Sequence, residues 1–365
     1  MDLIKKETES WQSGIAKSIT FIVTKDCQLA CKYCYLVGKN EKERMSWDVA
    51  KKAIDYILSH ESDFQEESVV WDFIGGEPFL EIDLIDHICD YIKKELFCRN
   101  HHWFNSYRFS FSTNGINYDN EKVQRFIEKN KNHLSIGITI DGTKAKHDLN
   151  RIWKGLGKER GSYDDVVRNI PLWLQQFPYG GTKVTISSAD IPYIKESVIH
   201  LYSLGIHEVN INCVFENVWC EGDESLFEDQ LMLLADEIIE NGYYKEYTCS
   251  FFSEHIGKPM NQQLENENWC GAGRMLSIDA AGRFYPCTRF AQYSLRSKKA
   301  WTIGNVNDGI DKNRLRPFLT LDRSTQSNQD CMNCEVASGC AWCQGENYDA
   351  AETPTAYQRA TAICK

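Results

Sequence analysis

The chain lacks both a long apolar run and a secretory signal. No stretch of its 365 residues approaches the ~20 consecutive apolar residues that a membrane-spanning helix needs. The first residues, MDLIKKETESW, contain no apolar segment of the kind that a secretory signal carries. These two absences argue against a helical membrane protein and a secreted one, so we predict a cytoplasmic protein with no membrane partner.

Positive charge is scarce relative to negative charge. Lys and Arg number 41 against 52 Asp and Glu, which gives a net charge of −11. Long-range electrostatics of this sign disfavour a nucleic-acid backbone as partner. The 15 cysteines are too few for a small disulfide scaffold, yet many for a reduced chain, in which disulfides rarely persist. We therefore expect cysteines to hold metal ions or clusters.

The cysteines fall into two groups and a dispersed remainder. Cys27, Cys31 and Cys34 lie close together near the start and are called the first cysteine group. The second cysteine group occupies the last quarter and consists of Cys270, Cys287, Cys331, Cys334, Cys340, Cys343 and Cys364. The dispersed remainder consists of Cys89, Cys98, Cys213, Cys220 and Cys249. Grouping indicates ligands, whereas we expect the dispersed residues other than Cys249 to be small buried hydrophobic side chains.

Between the two groups, short β-branched or aromatic runs alternate with amphipathic helical segments. This alternation is typical of parallel βα units. The predicted strands are 19–23, 69–73, 108–112, 134–140, 183–187 and 208–214. Six units are too few for a closed eight-stranded barrel, so we expect a partial barrel or an open doubly wound sheet, with the chemistry at the carboxyl ends of the strands. From about residue 241 the chain breaks into short Gly-, Asn- and Cys-rich pieces, which predicts a domain boundary there.

The first cysteine group follows the first predicted strand, within the segment VTKDCQLACKYCYL. Its Cys-x3-Cys-x2-Cys spacing puts three thiolates in one loop and leaves one iron of a 4Fe-4S cluster open to another ligand. This pattern, with Tyr33 before the third cysteine, resembles the radical S-adenosylmethionine (radical SAM) superfamily. The resemblance implies that Cys27, Cys31 and Cys34 hold a cluster whose open iron is chelated by S-adenosylmethionine, so that a 5′-deoxyadenosyl radical is produced. The alternative is a zinc loop or three unrelated thiols.

Further landmarks of that superfamily follow in the expected order. The turn GGEP, residues 75–78, comes after the second predicted strand, where glycines allow close backbone approach and the carboxylate suits the ammonium group of the cofactor. The segments STNG at 112–115 and IDG at 140–142, the latter followed by HD and Arg151, resemble patterns of the peptide-modifying branch. The cofactor-binding residues that the resemblance implies are Tyr33, Gly75, Gly76, Glu77, Thr113, Asn114, Asp141 and Ser188. For Thr113, Asn114 and Asp141, turn formation and helix capping are an equal alternative.

The second cysteine group has a regular spacing. A first pair encloses a glycine in the order C-x11-G-x4-C, a run C-x2-C-x5-C-x2-C follows after a gap, and one last cysteine lies near the end. This spacing resembles the SPASM domain, which binds two auxiliary 4Fe-4S clusters, although that family usually has three residues between the last two cysteines of the run. The resemblance assigns to the proximal cluster the residues Cys270, Cys287 and Cys343, called the proximal group. It assigns to the distal cluster the residues Cys331, Cys334, Cys340 and Cys364, called the distal group.

Under this assignment the proximal group lacks a fourth thiolate. Either Cys249 or another side chain closes the site, or the open iron accepts a thiolate from the substrate. A zinc module is the alternative for this region, because the run C-x2-C-x5-C-x2-C is a believable four-thiolate zinc site, but it leaves three cysteines of the second group without a role. The combined resemblance implies an α/β fold, with a partial (β/α)6 TIM-like barrel over residues 1–240 and a small Cys-rich α+β SPASM domain over residues 241–365.

Members with this architecture mostly modify peptides or proteins. They form thioether bonds from cysteine, make carbon-carbon crosslinks, epimerise residues, or oxidise a sulfatase cysteine or serine to formylglycine. The sulfatase-maturing branch carries an aspartate base directly after the cysteine that corresponds to Cys287, whereas this chain has Thr288 followed by Arg289. We therefore expect a maturase that forms thioether crosslinks in a ribosomally made, cysteine-containing peptide. A different class is an iron-sulfur electron-transfer protein without radical chemistry, which would have no need for Glu77.

The implied partners are a precursor peptide and a reductant such as flavodoxin or ferredoxin. Only 26 residues precede Cys27, so we expect no room for the ~80-residue winged-helix domain with which many such maturases bind their precursor. Two basic segments, 151–161 and 296–299, are candidates for contact with an acidic leader segment of the precursor. The alternative is that both are solvated loops that balance an acidic chain.

Overall fold

The computed structural model describes residues 16–37, 41–155, 160–253, 270–337, 340, 343–352, 355–361 and 364. Residues 1–15 lie outside the described residues, and part of the prediction about the residues before Cys27 falls on them. Residues 156–159 of the basic segment 151–161 also lie outside the described residues. Every cysteine of both groups lies within the described residues.

Parallel strands alternate with helices in the chain up to residue 213. The strands are β1 (Ala16–Thr24), β2 (Ser68–Gly75), β3 (Tyr107–Thr113), β4 (Leu134–Ile138), β5 (Gly181–Ile186) and β6 (Glu208–Cys213). The predicted strands are confirmed, with ends that differ by a few residues. β1 to β4 pair in chain order, β5 pairs with β6, and all of these pairings are parallel. One parallel bridge between Thr139 and Lys183 continues the order from β4 to β5.

Helices connect these strands and pack against the sheet. They are α1 (Trp47–Ser59), α2 (Ile82–Cys98), α3 (Glu121–Asn130), α4 (Lys144–Asn150), α5 (Tyr163–Val167), α6 (Ile170–Gln176), α7 (Ile194–Ser203) and α8 (Asp223–Glu240). Ser46 caps α1, because its hydroxyl accepts a hydrogen bond from the backbone N–H of Val49. Among the helices within the described ranges, none is long and apolar enough to cross a membrane.

The two faces of the main sheet differ in polarity. On the face covered by helices, the rings of Phe73 and Phe111 stack with centroids 5.1 Å apart, and Phe126 of α3 packs against Phe111 at 5.5 Å. Burial of each such side chain contributes about 1.5–3 kcal/mol. Side chains alternate along a strand, so Asp72 and Ser112, the neighbours of these phenylalanines, lie on the opposite face. That inner face is polar and borders the cavity described below.

The strands do not close into a barrel. β6 pairs in parallel with β7 (Thr248–Cys249), and within the described ranges no strand joins this smaller sheet back to β1. The fold is a mixed α/β fold with a parallel sheet, which agrees with the predicted partial barrel, since a closed barrel of this type needs eight strands. β7 lies beyond the predicted boundary near residue 241, and that boundary stays a prediction.

The last third of the chain extends the main sheet beyond β1. Its strands are β8 (Leu276–Ile278), β9 (Arg283–Tyr285), β10 (Gly304–Asn305) and β11 (Gly309–Ile310). β8 pairs in parallel with β1, and β9, β10 and β11 follow in antiparallel pairings. The helices of this region are α9 (Lys312–Thr320), α10 (Arg323–Gln326), α11 (Gln329–Met332) and α12 (Gln344–Ala350). Because β8 occupies the edge of β1, both regions of the chain share one sheet.

The dispersed cysteines differ in burial. Cys89 lies in α2 and is fully buried, as predicted. Cys98 and Cys220 are exposed, so the expectation of burial is wrong for both. Cys98 is the last residue of α2, and Cys220 lies in the loop before α8. Helix ends and loops run over the protein surface, which explains the exposure of these two side chains. Cys213, at the end of β6, is half-buried.

Candidate functional site

The first cysteine group lies in one loop at the carboxyl end of β1. Two backbone hydrogen bonds tie this loop to the end of α4 and the segment after it: the N–H of Ala30 donates to the carbonyl of Ile152 at 2.8 Å, and the N–H of Lys32 donates to that of Asn150 at 3.0 Å. All three cysteines line a cavity at this edge of the sheet. The loop conformation is therefore held by backbone contacts, and the thiols point to a common space.

The GGE turn after β2 packs directly on the same loop. The N–H groups of Gly76 and Glu77 donate to the carbonyls of Thr24 and Asp26 at 3.0 and 2.9 Å. A Cβ atom on Gly76 would lie 2.1 Å from the Asp26 carbonyl oxygen, and one on Gly75 would lie 2.2 Å from that of Thr24. Such distances are impossible for real Cβ atoms, so only glycine permits this close approach. The two glycines therefore allow the close backbone approach that the sequence predicts for this turn.

Glu77 is buried at the floor of the cavity and is 1 % exposed. Its carboxylate accepts hydrogen bonds from the Thr113 hydroxyl at 2.7 Å, from the Asn114 N–H at 2.7 Å and from the Phe79 N–H at 3.1 Å. Burial raises the pKa of Glu77 above its usual range, and these hydrogen bonds oppose the rise. Among the described residues, no basic side chain forms an ion pair with it. A buried carboxylate in this state fits an ammonium group from a ligand.

Tyr33, Asp141 and Arg151 form a second polar cluster beside the first cysteine group. The Tyr33 hydroxyl donates to the Asp141 carboxylate at 2.6 Å and accepts from Nη1 of Arg151 at 2.9 Å. Burial by itself would raise the pKa of Asp141, but the charges of Lys146 and Arg151 outweigh it and lower that pKa. The buried Nε of Arg151 has no hydrogen-bond partner in the described part of the chain. Arg151 also lines the cavity, where the charge of its guanidinium suits a carboxylate from a ligand.

His147 fixes the backbone behind this cluster. Its Nδ1 accepts a hydrogen bond from the backbone N–H of Asp141 at 3.3 Å, and its Nε2 lies 3.0 Å from the Ser162 hydroxyl. Burial lowers the pKa of His147 to about 3, so the ring is neutral at physiological pH. The histidine of the HD pattern therefore positions Asp141 and does not face the cavity.

The cavity has a volume of about 390 Å³, within the usual range for a small-molecule site. The predicted residues that line it are Cys27, Cys31, Cys34, Tyr33, Gly75, Gly76, Glu77, Thr113 and Asn114. Asp141 is not in the lining but contacts two residues that are, since its carboxylate accepts hydrogen bonds from the Tyr33 hydroxyl at 2.6 Å and from the Thr185 N–H at 3.2 Å. Ser188 is not brought to the lining, because its hydroxyl donates to Asp223 at 3.1 Å, and Thr185 of β5 lines the cavity instead.

Sequence reasoning missed an ion-pair network at the far side of the cavity. Nη2 of Arg289 lies 3.0 Å from the Glu216 carboxylate and 2.9 Å from that of Glu346, and all three side chains are largely buried. The Arg289 guanidinium also lies 5.0 Å from the ring centre of Tyr35. Glu216 follows β6, whereas Arg289 and Glu346 follow cysteines of the proximal group. Charged residues close to candidate ligands were the signal that could have pointed to this network.

In the second cysteine group, two sets of thiols lie near one another, and their assignment to two clusters stays a prediction. Burial and the charges of Cys270 and Cys343 raise the pKa of Cys287, so these three thiols are neighbours. Burial and the charges of distal-group members likewise raise the pKa of Cys364. Cys249 lies on β7, where burial raises its pKa to about 11 and its charge acts on Tyr202 of α7.

The spacing of the thiols bears on the zinc alternatives. Within the described ranges, no three His, Cys, Asp or Glu side chains converge as ligands of a single metal ion. A structural zinc site needs four ligands about 2.0–2.3 Å from one ion, whereas a 4Fe-4S cluster distributes its thiolates over four irons. The assignment of clusters to these thiols stays a prediction.

Comparison with known proteins extends this picture. A family model described as the radical SAM superfamily matches residues 21–188. An uncharacterized protein of Methanocaldococcus jannaschii is 31% identical, over 82% of this chain and 91% of its own length. The serine-type anaerobic sulfatase-maturating enzyme of Bacteroides thetaiotaomicron is 23% identical, over 86% of this chain and 78% of its own length.

Among solved structures, native anSMEcpe with bound AdoMet and Cp18Cys peptide is similar in fold. The TM-score is 0.70 at 18% sequence identity, and the match covers 96% of this chain and 94% of that one. AdoMet is S-adenosylmethionine, so that protein holds both a cofactor and a peptide. At this identity the likeness concerns the fold, including the open parallel sheet and the region that follows it.

Proposed function

Because the chain belongs to the radical SAM superfamily and is therefore an enzyme, we propose that it forms thioether crosslinks in a ribosomally made, cysteine-containing peptide. The observation that carries the proposal is a cavity shared by two sites. The first cysteine group and Glu77 line one side of it, and Arg289, which lies beside the proximal group, lines the other side. A peptide in this cavity would meet both sites at once. The membership leaves the electron-carrier alternative without support.

The residues of the cavity fit the cofactor group by group. The first cysteine group would hold the 4Fe-4S cluster, and Glu77 would bind the ammonium of S-adenosylmethionine. The guanidinium of Arg151 would bind its carboxylate. Tyr33, Thr113 and Asn114 would complete the pocket. When bound, this cofactor pair supplies 5′-deoxyadenosyl radical chemistry, which removes a hydrogen atom from a peptide carbon.

The proposed reaction removes two hydrogens for each bond that forms. One leaves the peptide carbon as a hydrogen atom and ends in 5′-deoxyadenosine. The other leaves the cysteine thiol as a proton, and the new carbon-sulfur bond releases one electron. The proximal and distal groups would hold two auxiliary 4Fe-4S clusters, which gives that electron an acceptor within the protein. The protein's own task is to orient the peptide and to exclude water.

Formylglycine formation is the second candidate, and the sulfatase-maturating relative favours it. The residue after Cys287 argues against it, because Thr288 cannot act as the aspartate base of that branch does. Arg289 next to it is already engaged by two carboxylates. The thioether reaction is therefore the better match to the residues around the proximal group.

Mass spectrometry separates the two candidates. The reconstituted enzyme is incubated anaerobically with S-adenosylmethionine, dithionite and a library of cysteine-containing peptides. Thioether formation removes two hydrogens per crosslink and makes the cysteine resistant to alkylation, whereas formylglycine formation from cysteine exchanges its sulfur for oxygen. Peptides of unchanged mass, or products that have lost sulfur, would contradict the proposal.

The remaining partners stay predictions. We propose flavodoxin or ferredoxin as the reductant and the cytoplasm as the compartment, because an iron-sulfur enzyme of this kind needs a low-potential electron source. The basic segment 296–299 stays the candidate for leader contact. Its backbone is held in place, since the Asp349 carboxylate accepts hydrogen bonds from the N–H groups of Arg296, Ser297 and Lys298.

A further inference from the structure

The inner face of the open sheet is not a packed core. In a closed (β/α)8 barrel the interior is filled with bulky apolar side chains. Here the strand residues that line the cavity are Gly75, Cys213 and five polar residues, namely Ser112, Thr113, Lys183, Thr185 and Asn212. Register pairs Thr185 with Asn212 on adjacent strands, so these side chains form one continuous wall. A wall of hydroxyl, amide and ammonium groups suits an extended peptide, whose backbone needs hydrogen-bond partners.

Lys183 is the charged residue of this wall. It lies on β5 and is exposed, and its ammonium donates to the Ser112 hydroxyl at 3.2 Å. No carboxylate in the described part of the chain lies within 4.0 Å of that ammonium. Asp72 lies on the same inner face, more than 4.0 Å from that ammonium. Burial raises the pKa of Asp72, and the charge of Lys183 opposes the rise. Ser112 precedes Thr113, the residue that donates to Glu77, so Lys183 lies next to the predicted cofactor.

The charges that line the cavity can be matched one by one. The carboxylates are Glu77 and Glu216, and the cations are Arg151, Lys183 and Arg289. Arg289 and Glu216 pair with each other. The proposed function assigns Glu77 and Arg151 to the ammonium and carboxylate of S-adenosylmethionine. Of the described residues in the lining, Lys183 is then the cation that forms no close ion pair, and Asp72 acts on it only from beyond 4.0 Å.

We propose that Lys183 is a specificity-determining residue that binds a carboxylate of the substrate peptide, from an Asp or Glu side chain beside the reacting residue or from the peptide terminus. This inference rests on the proposed function and deepens it, because it names the substrate as a peptide with an acidic group at the site of modification. An ammonium–carboxylate hydrogen bond in a partly desolvated cavity is stronger than a neutral one. A peptide with a neutral or basic residue at that place leaves the charge of Lys183 unmatched or repelled.

Binding of synthetic peptides tests the inference. The probes are fluorescein-labelled nine-residue peptides with blocked ends and a central cysteine, flanked on both sides by Glu, by Gln or by Lys. A fourth probe has Gln before its cysteine and ends at that cysteine with a free carboxyl terminus. Fluorescence anisotropy measures their affinities for the cluster-reconstituted protein with S-adenosylmethionine. We expect the Glu peptide to bind about tenfold more tightly than the Gln peptide. Tight binding of the fourth probe alone would identify the terminus as the source of the carboxylate.

Substitutions at one position provide the decisive comparison. Lys183→Met should abolish the preference for the acidic probe, and Lys183→Glu should reverse it in favour of the Lys peptide. Lys312→Met is the matched control, because Lys312 of α9 pairs with Asp63 outside the cavity and should leave the preference unchanged. Iron content and S-adenosylmethionine affinity establish that each variant is folded.

Three results would overturn the inference. They are equal affinities of the wild type for the acidic and neutral probes, retention of the preference in Lys183→Met, and failure of every probe to bind at millimolar concentration. Reductive cleavage of S-adenosylmethionine to 5′-deoxyadenosine is measured separately. Selective binding without cleavage would refute the proposed function and not the role of Lys183. Cleavage without selective binding would refute the role of Lys183 and not the proposed function.

Discussion

The two cysteine-rich regions of this chain are built by different means. The first cysteine group lies in one loop after one strand, and backbone hydrogen bonds hold that loop to the GGE turn and to the segment after α4. The second cysteine group is distributed over the last quarter of the chain, and its proximal members are tied to the open sheet through the side chains of Arg289, Glu216 and Glu346. Backbone hydrogen bonds hold the first region as one loop, whereas the pairing of β8 with β1 and charged side chains from distant segments together hold the second.

The largest expected effect comes from removing one group of ligands at a time. Substitution of all three residues of the first cysteine group by Ala should lower iron from about twelve to about eight atoms per chain, since each 4Fe-4S cluster contributes four. The same treatment of the distal group should also remove about four irons. Only the first variant should lose cleavage of S-adenosylmethionine entirely. Iron, sulfide and 5′-deoxyadenosine are measured after anaerobic reconstitution.

A different content of iron and zinc would contradict this prediction. If the first variant instead fell from about four irons to none while zinc stayed in both proteins, the second region would be a structural zinc module. Acceptance of an electron by auxiliary clusters would then have to be abandoned. The distal variant serves as the matched control, because it removes cysteines without touching the cavity.

The second prediction compares the two carboxylates that line the cavity. Glu77→Gln should weaken S-adenosylmethionine binding about 100-fold, because it removes the charge that faces the ammonium and places an amide donor against N–H and hydroxyl donors. Glu216→Gln, at the far side of the same cavity, should change the affinity less than about threefold. Isothermal titration with unchanged iron content measures both. Equal losses in the two variants would contradict the assignment of Glu77.

The third prediction addresses the tie between the two regions. Arg289→Met should lower the free energy of unfolding by about 3–5 kcal/mol, because it leaves the largely buried Glu346 without its cation and Glu216 with only the exposed Arg296. Arg99→Met is the control, since Arg99 forms ion pairs nearer the surface and its loss should cost at most about 1 kcal/mol. Urea unfolding followed by tryptophan fluorescence measures both. Partial recovery in Arg289→Met/Glu346→Gln would confirm repulsion as the cause.

The smallest expected effect is a pH dependence within the first region. Burial lowers the pKa of His147 to about 3 from 6.5, so the unfolded chain binds a proton in this range and the native chain does not. Stability must therefore fall as the pH drops from about 6.5 towards 3, by about 2 kcal/mol at pH 5. The difference in urea midpoint between pH 7 and pH 5 should be smaller in His147→Asn. An identical difference in both proteins would refute the buried neutral histidine.

Much of the fold and part of the site could be predicted from the residues alone. β-branched and aromatic runs identified β1 to β6, because strand formation depends on local side-chain patterns. The spacing of Cys27, Cys31 and Cys34 and the GGE turn identified the cavity edge, because neighbours in sequence at a strand end are neighbours in space. The prediction of burial was wrong for Cys98 and Cys220. Their exposure depends on how a helix end and a loop lie relative to the solvent, which the tertiary structure decides.

The sequence by itself determined the strands, the placement of the three thiols of the first cysteine group in one loop and the class of enzyme, since each depends on a local pattern or a local spacing. Only the tertiary structure decided which distant side chains meet. The Tyr33–Asp141 hydrogen bond joins residues 108 positions apart, and the Arg289–Glu216 pair joins residues 73 positions apart. Likewise, only the pairing of β5 in the open sheet turns Lys183 towards the cavity. Such contacts follow from how strands and helices pack, which no local pattern encodes.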